Sequence, residues 1–118
     1  MHEKTSAYSM ELGNIEKIAR DCERNLSMHS SNLLYYLQEE QENIYVISLL
    51  TEAYSISSKL LLELNCIVEE ASDIEEKNGK VIVPLEEKTM AFIQTALIAS
   101  VHVSRDLTNI VRVSALEV

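Results

Sequence analysis

The chain has 118 residues, 47% of them apolar, and a formal net charge of −9. That length suits a single domain, residues 1–118, able to bury about 65% of its unfolded surface. Two glycines and one proline are too few for a sandwich or barrel and favour long helices with short connections. The negative field opposes nucleic-acid backbone and anionic membrane alike, so neither is an expected partner; a basic protein surface is compatible.

The first helix is expected over about residues 6–38, capped by Thr5 or Ser6, or starting at Asn14 if Gly13 breaks it. Tyr8, Leu12, Ile15, Ala19, Cys22, Leu26, His29, Leu33 and Tyr36 recur at steps of three and four, a heptad seam of coiled-coil type. Ser30, Ser31 and Asn32 are weak helix formers and a candidate kink. The polar run 38–43 is the expected first turn, with Asn43 as the next cap. The heptad phase also runs unbroken from Tyr36 through Glu40 and Asn43 to Ile47. The alternative is therefore one continuous helix of about 65 residues, roughly 100 Å long, which only an oligomeric coiled coil would stabilise.

The second helix, about 43–75, carries two seams. Ile47, Leu50, Tyr54, Ser57, Leu61, Leu64, Val68 and Ala71 form one; Val46, Leu49, Ala53, Ile56, Leu60, Ile67 and Ile74 form the other. Together they cover about half the helix, so it requires at least two neighbours. Lys77-Asn78-Gly79-Lys80 places a glycine where a helix can end in the left-handed conformation. Val81–Val83 then reads as extended, because the residue before Pro84 avoids the helical region, and Pro84 is expected to open the last helix. That helix, about 84–116, is lined by Leu85, Phe92, Ala96, Ala99, Val103, Ile110 and Val113, widened by Met90, Ile93, Leu97, Leu107 and Val111.

Three helices of matching length predict an all-α fold, an elongated antiparallel bundle of three long helices. The surplus apolar width of the second and third predicts completion by oligomerisation, a dimer being favoured. The least polar run, Met90 to Val103, is shorter than the ~20 residues a membrane span needs. No charged-then-apolar leader opens the chain, so a cytoplasmic location is expected.

Five positions are candidates for chemistry or binding at the acidic end: Glu69, Glu70, Asp73, Glu75 and Glu76. They crowd the C-terminus of the second helix, where the macrodipole disfavours negative charge. Lys77, Lys80 and Lys88 nearby, a basic partner or a cation could offset them; solvated charge is the first expectation, with a docking surface for a basic partner second. His29 lies within the first seam, where a histidine usually satisfies one hydrogen bond or sets register. The segment Arg24-Asn25-Leu26-Ser27-Met28-His29 also resembles the signature of HEPN ribonucleases. That resemblance implies a small dimeric helical bundle in which Arg24 and His29 cleave RNA. On an unbroken helix the two side chains diverge by about 140°, so convergence requires a kink.

His102, Arg105 and Asp106 cluster within one turn, with Asp106 expected in the seam and needing a partner there. No histidine follows a glutamate at the spacing of a di-metal bundle, so neither metal nor cofactor is expected. Cys22 should be buried and Cys66 should face outward, too far apart for a disulfide. The favoured reading is a non-enzymatic helical interaction protein that assembles with itself or binds a protein partner. The alternatives are the HEPN-like nuclease and an acidic decoy that occupies a basic, nucleic-acid-binding surface.

Overall fold

The computed structural model describes the backbone of residues 8–116 and the side-chain surroundings of residues 8–110. Its central element is the helix α2 (Ile44–Glu70), which buries Val46, Leu49, Leu50, Ala53, Ser57, Leu60, Leu64 and Ile67. These residues come from both expected seams. The helix α1 (Leu12–Glu39) packs antiparallel on one side, and α3 (Glu87–Leu116) on the other. The helices have 28, 27 and 30 residues, each roughly 40–45 Å long, in a body of 63 × 24 × 22 Å.

The polar run after α1 is a true turn. The Glu40 N–H donates to Tyr36 O at 3.0 Å, and the Asn43 N–H donates to Glu40 O at 3.0 Å. The continuous-helix alternative is thereby excluded. Asn43 does stand at the N-cap, but its side chain makes no capping hydrogen bond. Serines 30 and 31 do not interrupt α1, which runs unbroken to Glu39.

The fold is not purely helical, and two expected helix boundaries are corrected by a pair of strands among the described residues. Tyr8–Glu11 forms a strand, β1, that pairs antiparallel with β2 (Ile82–Leu85) in the register Tyr8↔Leu85, Ser9↔Pro84, Met10↔Val83, Glu11↔Ile82. Tyr-Ser-Met-Glu alternates apolar and polar, which suits a strand with one face on a core. On β2 the alternation is cleaner: Val83 and Leu85 are buried while Ile82 and Pro84 are exposed. The ribbon also ties to α1, since the Leu12 N–H, otherwise an orphan of the first turn, donates to Val81 O at 2.8 Å. Helix α1 therefore begins at Leu12 rather than near residue 6; Thr5 and Ser6 lie outside the described residues.

At its other end α2 closes through a single 3-10 turn, Ala71–Asp73, well before Gly79. Asn78 and Gly79 have φ of 55° and 78°, the pair of positive values that a type I′ hairpin turn requires. Lys77 and Lys80 exchange both backbone hydrogen bonds across it, at 2.8 and 3.0 Å. The glycine thus reverses a hairpin instead of ending a helix. Pro84 sits in β2 opposite Ser9, and α3 starts three residues later, with the Met90 N–H donating to Glu86 O at 3.0 Å.

The core is deep at the ribbon end and thin toward the α1–α2 turn. Ile15, Ala19 and Cys22 of α1 join Leu60, Leu64 and Ile67 of α2, Val83 and Leu85 of β2, and Ile93 and Ala96 of α3 in one cluster. The second cluster has only Leu49, Ala53 and Val103 fully buried. Each fully buried Leu or Ile in the first cluster contributes about 1.5–3 kcal/mol.

Because Leu85 is buried in a cluster that draws on all three helices and Leu62 lies open on α2, the two leucines should respond differently to truncation. Leu85→Ala is expected to cost about 2–5 kcal/mol, and Leu62→Ala less than about 0.5 kcal/mol, by urea denaturation. Equal costs would mean that the ribbon is not part of the core.

Candidate functional site

His29 and Arg24 do not converge. Arg24 projects into solvent, its side chain 77% exposed, and pairs with Asp21 one turn back at 3.5 Å. His29 is only 4% exposed, and its Nδ1 has no hydrogen-bond partner. It lines a cleft of about 280 Å³ between α1 and α3, together with Met28, Asn32, Ser104, Leu107 and Thr108. No charged residue lines that cleft. Burial holds the imidazole below its ordinary value of 6.5, which favours the neutral ring at neutral pH.

The acidic candidates are brought together only loosely. Glu69 and Glu70 end α2, Asp73 belongs to the 3-10 turn, and Glu75 and Glu76 follow in the loop; all five are exposed. Among the described residues none of them forms an ion pair, and Lys88 pairs instead with Glu86, at 3.8 Å on a fully solvated surface. Exposed charges of this kind add little to stability. A cleft of about 570 Å³ lies beside them, lined by Glu63, Cys66, Glu70, Ile74, Pro84, Lys88 and neighbours. Among the described residues, no group of three or more His, Cys, Asp or Glu is placed to hold a metal ion.

The expected cluster on α3 is also rearranged. Asp106, expected in the seam, is exposed together with His102 and Arg105. The buried line of α3 is Ile93, Ala96 and Val103, and Phe92 is 39% exposed. Ala96 and Val103 belong to the expected seam and Ile93 to its widened edge, whereas Phe92, also expected in the seam, is left half-exposed while Ile93 enters the deep cluster. Val111 and Val113 lie outside the described side chains. Both cysteines fall where expected, Cys22 buried and Cys66 exposed, and both are free thiols. Burial, and then the charge of Asp21, push the Cys22 thiol up, which makes it unreactive.

Among the described residues two apolar surfaces remain uncovered, and most of their side chains lie off the expected seams. Around the α1–α2 turn, Leu34, Tyr35, Leu37, Ile44 and Tyr45 are each 46–71% exposed. Tyr35 stacks edge-on against Tyr36, with ring centroids 5.4 Å apart. On the outer face of α3, Leu97, Ile98 and Val101 are exposed, Ile98 by 60%. The first surface was legible in the five consecutive apolar residues from Leu33 to Leu37, since an amphipathic helix with one seam cannot bury all of them. Among the described residues, no helix is long and apolar enough to cross a membrane.

No family model matches the chain, and no curated protein or solved structure is similar to it.

His29 has the lower pKa in the folded state, so the unfolded chain binds the proton first as pH falls through about 6.5. Its contribution to stability is complete above that value and is lost as pH drops toward the folded-state value. His29→Leu removes both this titration and the unpartnered ring nitrogen, so it should raise stability at neutral pH by about 1 kcal/mol. Urea unfolding at about pH 7.5 and about pH 5.5 should show a smaller pH dependence than in the parent. An unchanged slope, or a marked loss of stability at neutral pH, would contradict this placement of His29.

Proposed function

We propose that this chain is a non-enzymatic helical interaction protein that holds a protein partner, a copy of itself included, on apolar surface its own helices leave open. One observation carries the reading: five large apolar side chains, two of them tyrosines, stand exposed around the α1–α2 turn. Large apolar groups left exposed at one end of a bundle mark contact surfaces, and tyrosine is enriched at such contacts. The flanking Glu39, Glu40 and Glu42 supply a charged rim that keeps the free protein dispersed.

The carboxylates at the opposite end support a second reading, an acidic face presented to a basic protein surface. Glu69, Glu70, Asp73, Glu75 and Glu76 are exposed and unpaired among the described residues. The nuclease reading is the least supported. Arg24 is paired at the surface and His29 is buried with its nearest polar neighbours uncharged. An acidic body is also a poor platform for RNA. A reducing cytoplasm suits a chain with one exposed free thiol.

Affinity capture from native lysate separates these readings when the parent chain is compared with the double variant Leu34→Glu, Ile44→Glu. A partner retained through high-salt washing and lost with that variant is the expected result, because apolar contacts survive screening. Loss in salt with the parent, and insensitivity to the variant, would transfer the function to the acidic end. Cleavage of labelled RNA by the parent and not by His29→Ala would replace the interaction reading with catalysis.

A further inference from the structure

The geometry points to a second copy of this chain as the occupant of the outer face of α3, docked antiparallel about a two-fold axis level with Ala96. The inference rests on the interaction reading above and names one surface and one partner for it. Glu87, Ala91, Gln94, Ile98, Val101 and Arg105 follow steps of four and three along α3, and all six are exposed. That spacing is a heptad seam, and it lies apart from the buried line through Ile93, Ala96 and Val103.

Charge selects the occupant. A quarter of the chain is charged, yet from Thr89 to Ser104 there is no Asp, Glu, Lys or Arg. Two bodies of charge −9 repel on approach, and this stretch lets them meet without setting carboxylates against one another. The seam is also complementary to itself when run in the opposite direction. Ala91 then meets Val101 of the second copy, Gln94 meets Ile98, and Glu87 meets Arg105, each contact occurring twice. Leu97 of each copy lies beside its counterpart near the axis. Within the seam Arg105 stands at one end and Glu87 at the other, Lys88 and Asp106 lying about 100° off that line on the helix, so the antiparallel arrangement pairs the two seam charges. A parallel arrangement would set Arg105 against Arg105 and Glu87 against Glu87.

The seam spans roughly 27 Å from Glu87 to Arg105. A single helix pair of that length buries less than the ~800 Å² per partner of a standard interface, so the dimer should dissociate in the micromolar range.

Sedimentation of the full chain from about 1 µM to about 500 µM tests this directly. The mass should rise from 13.4 kDa toward twice that value. Ile98→Glu, at an exposed position, should keep the parent's circular dichroism and melting behaviour while weakening dimerisation at least tenfold. Arg105→Glu should weaken it too, and Glu87→Arg combined with Arg105→Glu should restore it. A parent that stays monomeric throughout overturns the proposal; capture of a heterologous partner at the α1–α2 turn would then still stand. A dimer that survives Ile98→Glu and is lost with Ile44→Glu also overturns it, by moving self-association to the turn. Failure of the charge exchange to restore a dimer that Arg105→Glu had broken overturns the antiparallel register.

Discussion

Burial of two faces of α2 is the constraint on which the rest of the structure depends. A helix with apolar residues over half its circumference cannot be satisfied by one partner, because a single helix contact covers only a narrow stripe. Helices α1 and α3 therefore sit on different sides of α2. Ser57, the one polar residue on the buried line of α2, is tolerated there among Ala53, Leu60 and Leu64. The arrangement leaves a cleft where α1 and α3 approach each other, and His29 lies in its wall.

The β ribbon decides which end of the bundle is firm. Val83 and Leu85 insert between the helices and join Ile15, Leu60, Leu64 and Ile93 in the deep cluster. A two-stranded ribbon is marginal alone, and here its inner face is stabilised by the helices it caps. No comparable plug reaches the other end, where the buried cluster is the smaller one of Leu49, Ala53 and Val103, with Val46 and Leu50 of α2 also buried. Apolar side chains that a deeper core would have absorbed, from Leu34 to Tyr45, consequently face outward. The open surface is a consequence of the same packing that makes the ribbon end stable.

Much of this was legible in the sequence, and the misreadings have definite physical origins. Steps of three and four located α1 and α2 and identified Ile15, Ala19, Cys22 and His29 as inward-facing, and the polar run 38–43 located the turn between the two helices. The strand Tyr8–Glu11 was not legible, because four residues at a helix entrance fit either period and their partner lies some seventy positions away in the chain. Asn78-Gly79 was assigned to the wrong element because a helix end and a type I′ turn both call for positive φ. What separates them is the pairing of Lys77 with Lys80, which a local pattern does not contain. On α3 nearly every position is apolar or small, so periodicity left the buried face ambiguous. Ile93, at the widened edge of the expected seam, joins the cluster formed with α2 and β2, and Phe92 stays half-exposed.

The candidate residues divide along the same line. Arg24 and His29 share a helix but face differently, as helical geometry already required of an unbroken α1. The acidic group stayed together because it is continuous in sequence, whereas the exposed turn combines residues from two helices. Whether partners meet apolar surface or acidic surface is the central question, and site-specific photo-crosslinking in native lysate answers it most directly. With the cross-linker placed in turn at Ile44, Ile98 and Glu70, the account predicts protein adducts from Ile44 and Ile98 and none from Glu70. Adducts from Glu70 alone would contradict it, and would make the carboxylates at the ribbon end the working surface.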